Sequence, residues 1–192
     1  MRSHVETWLE GDGAAFLRRI GLKPGDRVLD FGCGRGHYSI PAAQVVGTAG
    51  RVLAMDKEGK ALEGLKQWAE KFGLTNLEPR LTAGALAVDS PDGSFDAILA
   101  YDVIHYPERR EPLFAEFHRV LKGGGFLSVY PKHRRGDHPL PPMACLSLDE
   151  IVAEVAGAGF SPRRRFYERL LHDESYNQGV VINFAWRTRR CR

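Results

Sequence analysis

Val28-Leu-Asp-Phe-Gly-Cys-Gly-Arg-Gly36 carries the reading of this chain. A short apolar run ends on Asp30, and glycines follow at positions 32, 34 and 36. The run predicts a buried strand over Arg27 to Phe31. The glycines predict a loop whose backbone a ligand can approach, because no Cβ stands in the way. A helical pattern begins at once, His37-Tyr-Ser-Ile-Pro-Ala-Ala43, and runs to Val46. Strand, glycine loop and helix together predict a nucleotide-binding corner. A tight turn without a ligand seldom needs three glycines and a leading acid.

Arg51-Val-Leu-Ala-Met-Asp56 is a second apolar run ending in an acid, about 20 residues beyond the loop. In a parallel sheet both strand tips lie on one edge, where ligands bind. A carboxylate at position 56 suits both hydroxyls of a ribose. It also suits the N-cap of a helix over Lys57 to Phe72, and the two roles are compatible. That helix carries Leu62, Leu65, Trp68, Ala69 and Phe72 on one face and ends at Gly73.

The glycine spacing separates two classes of nucleotide site. In the dinucleotide fingerprint the third glycine stands three residues after the second. Here it stands two after, and His37 fills the later slot, which argues against a nicotinamide oxidoreductase. Asp-x-Gly-x-Gly-x-Gly instead resembles the first motif of the class I S-adenosylmethionine-dependent methyltransferases. The resemblance runs in order from Pro24 to Tyr130. Pro91-Asp-Gly-Ser-Phe-Asp96 resembles the family's turn before its fourth strand. Ala97 to Tyr106 resembles that strand and its end, and Arg119 to Tyr130 resembles the following helix end, turn and fifth strand.

The resemblance implies S-adenosylmethionine as cofactor and methyl transfer as activity. Asp30, Gly32, Cys33 and Gly34 would serve the methionyl part. Asp30 would orient the loop amides, and Cys33 would fill space as a small residue. Asp56, with Lys57 beside it, would serve the ribose. After the third strand many members carry an acid for the adenine amino group; here Gly84 stands at that position. Backbone groups near Ala85 and Leu86 would hold adenine instead. Tyr101 and Tyr106 would face the sulfonium. His105 and His133 are candidates for taking a proton from the acceptor, so His105, Tyr106 and His133 form the catalytic set. Each histidine also has a plain packing reading.

Apolar strands alternating with amphipathic helices predict an α/β fold with a mainly parallel sheet. With the resemblance this becomes a doubly wound, Rossmann-like sheet with helices on both faces and an antiparallel last strand. At 192 residues one domain over 1–192 is expected. Residues 1–22 would form a helical cap, two short helices hinged at Gly11-Asp-Gly13. Residues 131–146 are basic and proline-rich and suit a substrate loop. Ser147-Leu-Asp-Glu150 reads as a capping box for a helix to Ala158. Apolar runs at 166–171 and 180–186 would be strands joined through 173–179, before a basic tail at 187–192.

A net charge of +3 is too small to indicate nucleic acid. No run reaches membrane-span length, and no secretory core opens the chain. Three widely spaced cysteines suit a reducing cytoplasm. No histidine pair has helical i, i+4 spacing, so no metal site is expected. The expected partner is a small molecule. Arg134-Arg135, Arg163 to Arg165 and the arginine tail are the only support for a nucleic-acid substrate, and such runs are usually solvated surface. The missing acid near Gly84 motivates a third reading, a module that binds the cofactor without transfer. Acceptor atom and oligomeric state are written in no motif.

Overall fold

The two mostly apolar runs Arg27–Phe31 and Arg51–Asp56 form adjacent parallel strands. The computed structural model describes residues 2–82, 84–135 and 145–186. Strands β1 (Arg27–Phe31) and β2 (Arg51–Asp56) fall at the expected positions, and β3 is Leu77–Leu81. β4 is Phe95–Tyr101, β5 Leu121–Tyr130, β6 Phe160–His172 and β7 Ser175–Trp186. One seven-stranded sheet has the order β3-β2-β1-β4-β5-β7-β6. β1 pairs with β2 and β2 with β3 in parallel, β4 with β5 in parallel, and β5 with β7 antiparallel. The mainly parallel Rossmann-like sheet with an antiparallel final strand is thus present.

Chain contacts divide the molecule into two units: Met1–Ala85 with Tyr167–Gly179, and Leu86–Phe166 with Val180–Arg192. In the first, β1 and β2 are buried along nearly their whole length, as central parallel strands require. β3 is an edge strand, which is where Pro79, lacking an amide donor, is tolerated. Helices α3 (Ser39–Val46) and α4 (Gly59–Lys71) follow β1 and β2. Asn76 is buried and donates to the carbonyls of Ala43 and Gly47, capping the end of α3.

In the second unit, α5 (Glu111–Val120) buries Leu113, Phe114, Phe117 and Val120. Gly123 to Gly125 do not break the chain between helix and strand, as the sequence suggested; they lie within β5, where pairing with β4 slips between Phe95 and Ala97. Arg119 pins the 88–92 segment, donating to the carbonyls of Val88 and Ser90 and to Asp92. The capping box at Ser147 and Glu150 forms and starts α6 (Leu148–Gly157). Arg163 to Arg165 lie exposed on β6, the other sheet edge, where charge discourages further strand pairing. Arg165 pairs with Asp149 at 2.6 Å and Arg164 lies over Phe166, so this run has partners within the chain.

Two expectations are corrected. The last hairpin is longer than the apolar runs implied: β6 and β7 extend to a tight turn at Asp173, whose φ is 53°. Polar residues between the runs extend the strands, and Tyr176 earns its place by packing on Trp8 and donating to Asp12. The N-terminal segment is not hinged. Helix α1 (His4–Thr7), a π-helical turn (Trp8–Asp12) and α2 (Gly13–Ile20) are continuous. The 131–146 loop falls largely on residues 136–144, and the basic tail on 187–192; both stretches lie outside the described residues. Among those described, no helix is long and apolar enough to cross a membrane.

Gly13 gives this segment its test. A Cβ there would sit 2.7 Å from Pro41 and 2.8 Å from the Trp8 indole. A hinge glycine in a helix gains about 1 kcal/mol when changed to Ala. Close approach predicts the opposite sign: Gly13→Ala should lose about 1–3 kcal/mol, read as a lower denaturant midpoint.

Candidate functional site

The glycine loop is tied to the tip of β2 by backbone. Gly32 and Cys33 N–H both donate to the Met55 carbonyl, at 2.8 and 3.0 Å. Gly34 N–H donates to Asp56 Oδ2 at 2.7 Å, and Glu58 N–H to Asp56 Oδ1 at 2.9 Å. Asp56 therefore does not N-cap α4, whose N-cap position is Glu58. Its carboxylate is instead fixed between two amides, each oxygen keeping a lone pair. The loop turns through positive φ at Gly32, Gly34 and Gly36. At Gly34 an added Cβ would meet nothing, so the backbone there is open to a ligand. Gly36 serves packing: a Cβ there would collide with Leu65. A cavity of about 320 Å³ is lined by Arg35 and His37 of the loop together with Ser3, Glu6, Trp68 and Glu174.

Asp30 does not orient the loop amides, which already bond to Met55 and Asp56. It is buried, and Ser39 donates to its carboxylate. Burial, reinforced by the nearby Asp56 charge and opposed by Ser39, pushes its pKa up to about 7. Cys33 packs among Ala54, Leu62, Leu65 and Leu77, and burial pushes its thiol well up. It is an inert filler. Lys57 and Ala85 are exposed and Leu86 is half-buried. Gly84 has φ 86° and accepts no strain there as a glycine; an L-acid at this position would be strained. Its N–H bonds the Thr82 hydroxyl.

In the second unit the tips of β4 and β5 carry a separate cluster. The register pairs Tyr101 with Tyr130, so the residues just past each strand end meet. Asp102 Oδ1 lies 3.5 Å from His105 Nδ1 and 3.3 Å from His133 Nε2. His105 is 2% exposed, and its ring lies tilted against that of Tyr106, which is 62% exposed. The structure thus brings His105, Tyr106 and His133 together. Asp102, at the end of β4 but without an expected role, joins them. Asp102 and His105 stand three residues apart, but nothing local links them to His133; the parallel register of β4 and β5 was the signal. Tyr101 is buried, and its hydroxyl is engaged with Ser128 at 2.8 Å, which gives it a packing post rather than a ligand-facing one.

The profile of the methyltransferase domain family matches residues 28–125. A sterol 24-C-methyltransferase of Aspergillus fumigatus is 33% identical over 131 residues, 61% of this chain and 34% of that protein. An arsenite methyltransferase of Aquipseudomonas alcaligenes is 34% identical over 140 residues, 68% of this chain and 38% of that protein. The chain spans about a third of the length of the curated relatives it matches. Among solved structures, a SAM-dependent methyltransferase from Aquifex aeolicus superposes with a TM-score of 0.73 at 26% identity, covering 90% of this chain and 89% of that one.

The raised Asp30 pKa has a signed consequence. Its folded pKa lies above the unfolded value near 4, so the folded state binds the extra proton between those values. Stability of the ligand-free protein should fall as pH rises from about 4 to about 7, by roughly 4 kcal/mol from this group. In Asp30→Asn that component should vanish, leaving a flatter curve of melting temperature against pH.

Proposed function

The chain belongs to the methyltransferase domain family, and on that premise we propose that it moves a methyl group from S-adenosylmethionine to a small-molecule acceptor. The observation that carries this is the Asp56 carboxylate, held by two backbone amides beside an open glycine turn. Such a carboxylate is preorganised to accept two ribose hydroxyls. When bound, S-adenosylmethionine supplies an electrophilic methyl on a sulfonium, which passes to an acceptor lone pair and leaves a neutral thioether.

The chain's own residues bind, orient and exclude water. The Gly32, Cys33 and Gly34 amides are already engaged, so the loop offers a ligand carbonyl oxygens, the correct polarity for an ammonium. Asp30 adds a buried carboxyl behind that loop, and a cationic ligand favours its ionised form. Cys33 packs the floor. Lys57 flanks the ribose carboxylate. Ala85 and Leu86 offer backbone to adenine, since Gly84 brings no acid. His105, Tyr106 and His133 serve the acceptor.

The named substrates of the relatives, a sterol and arsenite, support a small acceptor. The partnered arginines of β6 weaken the case for a nucleic-acid acceptor.

Release of S-adenosylhomocysteine against a panel of small hydroxyl, thiol, amine and carbon acceptors tests the activity. Tight binding with no release against any of them would favour a binding module instead. Asp56→Ala should weaken S-adenosylmethionine by roughly 100-fold, the worth of two charge-assisted hydrogen bonds. Undiminished affinity in that variant would remove Asp56 from the site.

A further inference from the structure

We propose that Asp102, His105 and His133 form a binding site for a divalent first-row transition cation, of the zinc class. One ligand atom from each residue lies within 4.8 Å of the others. The two separations from the shared Asp102 Oδ1 are 3.5 Å to His105 Nδ1 and 3.3 Å to His133 Nε2. Two ligands bound to one cation at about 2.1 Å with tetrahedral angles stand about 3.4 Å apart. The two edges at Asp102 therefore have nearly the length that a shared cation imposes. Two imidazoles and one carboxylate are a donor set that suits such cations and leaves coordination positions open.

The backbone is shaped to make this cluster. Among the described residues, three without a glycine's freedom have positive φ, and two of them are Asp102 at 53° and His133 at 62°. Such conformations persist where the surroundings hold them. Asp102 N–H is fixed to the Tyr130 carbonyl at 3.1 Å, which locks the start of one ligand loop onto the end of β5. His105 is pressed between the rings of Tyr106 and His133, with centroids at 4.1 and 4.8 Å. Burial of His105 gives the site a low-dielectric wall, while the Asp102 and His133 side chains keep partial exposure.

A cation there would offer its open positions to an oxygen, sulfur or nitrogen atom of a small acceptor and acidify its proton. That consequence rests on the transfer reading above; cation binding itself does not. The test is accordingly run without methyl donor. Co²⁺ and Zn²⁺ are titrated into the untagged full chain, with calorimetry and the Co²⁺ ligand-field spectrum as readouts. One equivalent should bind, and Zn²⁺ should raise the melting temperature. Asp102→Asn and His133→Asn keep residues that tolerate the left-handed backbone, so both variants should fold. Each should weaken binding at least about tenfold, as loss of a ligand must. His4→Ala, in the other unit, should bind as wild type. Substoichiometric binding by the wild type, or wild-type affinity in either cluster variant, overturns the assignment.

Discussion

The carboxylate of Asp56 is the clasp on which the first unit's ligand-facing surface depends. It holds Gly34 N–H from one side and Glu58 N–H from the other. With the Met55 carbonyl taking Gly32 and Cys33, the loop after β1 is fastened to the tip of β2 at three backbone donors. A glycine loop left loose would lose entropy on ordering around a ligand. Here most of that ordering is complete before any ligand arrives. The far end of the loop is braced too: the Trp8 indole N–H donates to the His37 carbonyl at 2.7 Å. Trp8 packs on Tyr38 and Tyr176, and Tyr38 donates to Leu171 on β6. The N-terminal helices and the hairpin tip thus act through one aromatic group on the loop they flank.

Asp30 shows a local conflict between stability and use. A carboxyl in the core, near a second carboxylate, is an unfavourable choice for folding alone. Ser39 offsets only part of that cost. Conflicts of this kind collect at functional sites, where a ligand of opposite charge removes them. The second unit resolves its conflicts differently. Arg110 is buried but forms a fork with Glu154 at 2.6 and 2.8 Å, and Lys122 takes both oxygens of Asp96.

Much of this was legible in the sequence, for physical reasons. β1 and β2 were read to the residue because short, mostly apolar runs bounded by turn residues have one reading. The capping box at Ser147 is local chemistry and was found as such. What was missed depends on distant partners. Gly13 reads as a hinge until Pro41 and Trp8 are seen against it. Asp30 reads as a loop organiser until the amides are found on Met55 and Asp56. The polar stretches of β6 and β7 give no apolar period, so their pairing was invisible. Asp102 meets His133 only through the β4–β5 register. Gly84, noted as a departure, gained its reason from the backbone: φ is 86° there.

A crystal structure with S-adenosylhomocysteine tests the central claim most directly. The account predicts both ribose hydroxyls on the Asp56 carboxylate, with the amino-acid end against Gly32 to Gly34. A nucleoside bound elsewhere, or Asp56 left with only its two amide donors while the ligand is ordered, would contradict it.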